Sequence, residues 1–218
     1  MKKILFAAAI ALAAVSGRAE ADGYIMLSVW SPGELPCPSS AIHGGRLTFF
    51  YGECRELFGL DIGLLGANYV RERMYGFQYS MIFNYVDNGA GYQWGFANIA
   101  EHEFYGLQRG AWNSAEMIDG MQFGHVNTAG FVDGFQWSGI LNWADDIAGL
   151  QVSHGWNHAG DGAGMQWAPI NTANRFAGFQ LGVFNWANEL DGLQLGFINV
   201  VANQTVPVLP FLNIGFGW

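Results

Sequence analysis

"GFQLGVFNWANELD" (178–191) is followed directly by "GLQLGFINVVANQT" (192–205), so one phrase is written twice in succession. It runs Gly, large apolar, Gln, apolar, small residue, and then Asn seven or eight places after the Gly. Copies begin at Gly76, Gly91, Gly106, Gly120, Gly134, Gly149, Gly164, Gly178 and Gly192, each fourteen or fifteen places after the one before. Their amides are Gln78, Gln93, Gln108, Gln122, Gln136, Gln151, Gln166, Gln180 and Gln194, and then Asn84, Asn98, Asn113, Asn127, Asn142, Asn157, Asn171, Asn185 and Asn199. Looser copies start at Gly45 and Gly59. The three copies with Ser at the small place and an extra residue before the Asn, from Gly76, Gly134 and Gly149, suggest a β-bulge.

Each unit is rich in aromatic and β-branched residues and ends in Gly, Asn, Asp or Ala, the composition of a strand and a tight turn. Two glycines per unit disfavour a helix, each costing about 1 kcal/mol against Ala. In the copy from Gly178, period-two alternation puts Phe179, Leu181 and Val183 on one face and Gln180, Gly182 and Phe184 on the other. The recurring amides read as an internal hydrogen-bonding framework, since a buried amide needs a partner and repetition in register supplies one.

Two architectures use such a unit. In an antiparallel meander, successive units close into an outer-membrane-type β-barrel of about 12–14 strands, with lipid covering the apolar face. In a parallel β-solenoid, each 14–15-residue unit is one coil and like residues stack. Identical units favour the solenoid. The C-terminus favours the barrel, because Leu212, Ile214, Phe216 and Trp218 alternate as in the terminal strand read by the outer-membrane assembly machinery. A barrel would also set Phe77, Tyr92, Phe135 and Phe179, with Tyr85, Trp143 and Trp186, in two interfacial girdles. The barrel is the expectation and the solenoid the alternative. Thirteen units counted from Tyr24 to Trp218 are an odd number for a single-chain barrel, so Tyr24–Trp30 is expected to be a plug or loop.

Positions 1–21 carry Lys2 and Lys3, an apolar run from Ile4 to Val15 and a small-x-small site at Ala19–Ala21. That order predicts a secretory signal peptide over 1–21, followed by one repeat-built β domain over 22–218. Within it, 24–75 are degenerate units, 76–205 the nine regular ones and 206–218 a closing strand. Beyond the leader stand 6 basic and 17 acidic residues and no lysine, which argues against a nucleic-acid partner. Aromatics make up 16% of the chain and charged residues only 12%, against about 25% in ordinary domains. The expected partners are a lipid bilayer and the assembly machinery, with any solute or surface partner open. The expected place is the outer membrane or surface of a Gram-negative-type bacterium. Cys37 and Cys54 either form a disulfide, as an exported compartment permits, or remain two thiols.

The Gly-Leu-Gln-φ-Gly-φ-φ-Asn units, the degenerate stretch "GRLTFFYGECRELFGLDIGLL" and the tail "PVLPFLNIGF" resemble the bacterial surface-repeat proteins first noted in spirochaetes. The resemblance covers residues 24–218 and implies an exported, envelope-associated protein with no assigned activity. Arg46, Leu47 and Asp61 depart from it where Gln is expected.

Chemistry is sparse. His154 and His158 in "HGWNH" stand about 13 Å apart on an extended strand, too far to share a metal ion. "EHE" (101–103) reads as a solvated acidic loop. Asp145, Asp146, Asp161, Glu189 and Asp191 read as turn residues rather than a catalytic carboxylate pair. No nucleophile elbow, phosphate loop or paired-cysteine motif is present. The expectation is a protein without enzymatic activity, cofactor or metal, in a structural or passive-transport role.

Overall fold

Gly149 pairs with Gly164, Gly164 with Gly178 and Gly178 with Gly192, each in parallel and in register. Gln stands on Gln and Asn on Asn in the same ladders. The computed structural model describes residues 22–30, 33–35 and 39–217, whose regular structure is entirely β. The predicted signal peptide, Cys37 and Trp218 lie outside the described residues. Two compact units divide the chain between Tyr105 and Gly106.

The first unit contains β1 (Gly23–Trp30), β2 (Gly33–Leu35), β3 (Ala41–Gly63), β4 (Ala67–Ser80), β5 (Phe83–Trp94) and the first part of β6 (Ala97–Arg109). β1 runs parallel to β3, β3 to β4 and β4 to β5, while short β2 turns back antiparallel on β1. The second unit contains β7 (Trp112–Ser153), β8 (Trp156–Trp167), β9 (Ile170–Leu181), β10 (Phe184–Val201) and β11 (Val208–Gly215). Its strands are parallel from β7 to β10, and β11 pairs antiparallel with β10.

Each unit is therefore a parallel β-solenoid, and the expected antiparallel barrel is corrected. The physical reason lies in how the length of one repeat is used. A repeat is not one strand and a turn but a complete coil of two arms. The chain bends just after the Gln, where Gly182 and Val183 form a bend in the copy from Gly178, and closing the coil requires a second turn on the far side, the Gly bend, where the repeat Gly has a positive φ. The Gly bend explains the first letter of the phrase. Gly178 has φ +134°, and a Cβ there would lie 2.1 Å from the carbonyl oxygen of Gly164. No other residue fits so close a backbone approach.

Three smaller expectations change with the fold. Tyr24–Trp30 is neither plug nor loop, because it lies in β1 and pairs with β3. The first degenerate coil turns at Gly44 rather than Gly45, since a Cβ on Gly59 would meet the Gly44 carbonyl oxygen at 2.0 Å. In the Ser-bearing copy from Gly76, Met81 and Ile82 form the bend after the Gln, so the extra residue lengthens a turn instead of bulging a strand.

The narrow interior has two halves. Nearest the Gly bend it is apolar, lined by Ala144, Ala159, Ala173 and Ala187 and by the side chains two places before each Gly, such as Ile147, Phe176 and Leu190. Where that place is itself Gly, the next coil supplies a Phe. A Cβ on Gly162 would lie 2.6 Å from Ile147 Cγ2 and 3.3 Å from the Phe176 ring, and one on Gly89 would lie 2.7 Å from the Phe104 ring. The other half is amide. Every repeat Gln and Asn named above is fully buried.

Candidate functional site

The two amide rows run in opposite senses. Within a unit, a Gln inside the row donates to the Oε1 of the Gln one coil earlier: Gln151 to Gln136 and Gln166 to Gln151 at 2.8 Å, and Gln194 to Gln180 at 2.7 Å. Within a unit, an Asn inside the row donates to the Oδ1 of the Asn one coil later: Asn142 to Asn157 at 2.9 Å and Asn185 to Asn199 at 2.8 Å. The same amides tie the arms together. Gln151 also donates to the His158 carbonyl at 3.1 Å, and Asn185 to the Leu195 carbonyl at 2.9 Å. Inside the rows these groups satisfy one another and face no solvent, while Asn84 Oδ1 and Gln194 Oε1 are left without a hydrogen-bond partner.

In the first unit the Gln row ends on charge. Gln93 donates to Gln78, and Gln78 to Asp61. Asp61 receives the Arg46 guanidinium through Nε at 2.8 Å and Nη2 at 2.5 Å, with both side chains wholly buried. Arg46 and Asp61, the departures from the repeat, form the start of the ladder. In the second unit the row ends beside Asn213, which stands opposite Gln194 in the β10–β11 pairing.

With amides inside, the large side chains point outward. On the arm carrying Gln they flank each amide: Phe77 and Tyr79, Tyr92 and Trp94 in the first unit; Phe135 and Trp137, Met165 and Trp167, Phe179 and Leu181 in the second. On the arm carrying Asn, Tyr69 stacks on Tyr85 with centroids 4.3 Å apart, and Trp143 lies 3.9 Å from His158. The predicted girdle residues thus fall in rows on two opposed faces of a coil, not at two membrane interfaces. Trp94, Trp137, Trp143, Trp167 and Trp186 are all exposed.

Charge obeys the phase of the repeat. From Gly110 onward every charged residue lies within four places before a repeat Gly: Glu116, Asp119, Asp133, Asp145, Asp146, Asp161, Arg175, Glu189 and Asp191. They gather along the Gly-bend edge on strand segments, so the expectation that Asp145, Asp146, Asp161, Glu189 and Asp191 sit in turns is corrected. Arg175 pairs with Asp161, and this hydrogen bond holds the Asp161 carboxyl below its ordinary value. In the first unit Arg71 pairs with Glu53 and Arg73 with Glu56, and each hydrogen bond raises the pKa of its arginine. Burial, then the charges of Glu101 and Glu53, raise the Tyr69 phenol.

The two histidines of "HGWNH" are separated by a bend at His154 and Gly155. His154 is exposed in that bend, whereas His158 packs at a tilt against Trp143 and shares a hydrogen bond of 2.9 Å with Thr172. Burial depresses the His158 pKa. "EHE" is part of β6 rather than a loop, with His102 Nδ1 2.7 Å from Asp87 Oδ1. Among the described residues no group of three His, Cys, Asp or Glu side chains is placed to hold a metal ion. Cys54 is buried in β3. Leu212 and Ile214 are exposed on β11, which ends at Gly215, so Phe216 lies beyond the strand.

No protein-family model, no curated protein and no solved structure matches the chain. The confinement of charge to one edge went unread in the sequence, although the phase of the acidic residues relative to Gly carries it.

Proposed function

We propose that the protein is an exported, non-enzymatic β-solenoid displayed at the surface of a bacterial envelope, where it binds a protein or glycan partner through its outward aromatic rows. One observation carries this reading. In the second unit the fold closes most coils with Gln, Asn, Ala and one larger apolar side chain, so the exposed tryptophans on both arms are not needed to bury a core. Large exposed apolar surfaces of this kind mark interaction sites, and Trp and Tyr carry a disproportionate share of binding energy where partners meet. The signal-like leader and the resemblance to surface-repeat proteins support the location.

The experiment is fractionation of the producing bacterium with gel migration before and after boiling, followed by binding of the purified chain to isolated envelopes. Recovery with the envelope, migration unaffected by heating, and loss of binding in Trp143→Ala/Trp186→Ala support the proposal. Heat-dependent migration would instead restore the barrel.

A further inference from the structure

A coil of this protein has one wet edge and one dry edge. The bend after each Gln, opposite the acidic Gly bend, is built from apolar residues. In the second unit Ile140 is 57% exposed, Val183 53% and Phe197 68%. The first unit shows the same at Leu65, Met81, Ile82 and Phe96. In the second unit Arg109, beside the Gly110–Ala111 bend, is the one charged residue at or next to these bends. His125 and His154 are the most polar side chains at the bends themselves.

The backbone of this edge is as dry as its side chains. Turns ordinarily leave N–H groups to water, but here they bond from coil to coil. Val183 N–H donates to the Pro169 carbonyl at 2.9 Å, Ile198 to Val183 at 3.0 Å and Ile170 to Gly155 at 3.2 Å. His125 and Val126 both donate to Ala111 at 3.0 Å, and Ile82 in the first unit donates to Gly66 at 3.2 Å. Apolar side chains over a backbone whose N–H groups bond from coil to coil suit a hydrocarbon environment, because an unpaired peptide group there costs several kcal/mol. A protein or glycan partner makes no such demand on the backbone. Exposed Trp112, Trp156 and Ile170 flank the edge, and indoles favour the boundary between acyl chains and headgroups.

We infer that this edge is a lipid-contact surface: it dips into the acyl–headgroup boundary of a bilayer and leaves the acidic edge in water. The solenoid rests on the membrane without crossing it. Acidic charge and the lack of lysine beyond the leader set the preference for zwitterionic over anionic lipid. The inference goes beyond partner binding, which uses the faces of the arms.

The test is flotation of the chain from Asp22 onward, which contains β1 to β11, with phosphatidylcholine vesicles. The native chain is expected to float. Ile140→Glu/Val183→Glu/Phe197→Glu should reduce the vesicle-bound fraction at least tenfold. Ala148→Asp/Ala163→Asp/Ala177→Asp adds the same charge one place before the repeat glycines, where Asp119, Asp133 and Asp191 already stand, and should float like the native chain. If the first variant loses its β-sheet circular dichroism, glutamines at the same three positions replace it. A native chain that stays with the soluble fraction, or equal loss in the tip and edge variants, overturns the inference. A chain that ignores vesicles yet still binds envelopes, and stops binding after they are treated with protease, overturns lipid contact while leaving the partner-binding reading in place.

Discussion

The side-chain amide of Gln78 donates to the Asp61 carboxylate at 3.0 Å, inside a pocket where that carboxylate is already paired with Arg46. The Gln row therefore begins on a compensated ion pair. Removing one partner alone strands a buried charge, which costs about 3–5 kcal/mol. Asp61→Leu and Arg46→Met should each lose stability of that order in chemical denaturation. Arg46→Gln/Asp61→Gln, which extends the amide row, should recover most of it.

Gln151 stands mid-row, donating to Gln136 and accepting from Gln166. Gln194 ends the row, and its Oε1 has no hydrogen-bond partner. Leucine at an interior place strands a donor on one side and an acceptor on the other, about 1–3 kcal/mol for each group left unpaired. Gln151→Leu should thus cost distinctly more than Gln194→Leu when their urea midpoints are compared.

Phe176 packs where Gly162 of the previous coil leaves room. Phe176→Ala should cost about 3–5 kcal/mol through the cavity it opens. Gly162→Val should also destabilise, because even a Cβ there lies 2.6 Å from Ile147 Cγ2. Thermal melting of the two variants checks both directions of the size match.

His158 has its pKa lowered by burial. Its folded value lies below its unfolded one, so the unfolded chain binds the extra proton first as pH falls. The contribution is intact above the ordinary imidazole value and declines as pH drops through and below it. His158→Gln should flatten the stability profile in that window, measured by denaturation at a series of pH values.

The unit of this fold was plain in the sequence, and its direction was not. Gly178, Gln180 and Asn185 recur with fixed spacing, and spacing alone announces a β repeat. Yet a repeat of this length suits one membrane-crossing strand with its turn as well as one coil with two arms. The alternating C-terminus from Leu212 to Trp218, with the many aromatics, tipped the balance toward a barrel in lipid. A better discriminator was present in the pairs Gly89 with Phe104 and Gly162 with Phe176. Compensation in size between residues one repeat apart has meaning only where like positions stack, which antiparallel neighbours do not do. The candidate surface was half legible. Trp143 and Trp186 stood out as outward aromatics, whereas the dry edge depends on backbone pairing between coils such as Val183 to Pro169, which no residue type announces.

Because the Gln and Asn rows point in opposite directions, their bond dipoles offset each other along the stack. Inserting one more copy adds no electrostatic penalty that grows with length, and a stack has no rule of even number to satisfy. A whole copy of the phrase can thus be added to or removed from a unit without leaving an amide of either row facing the wrong way.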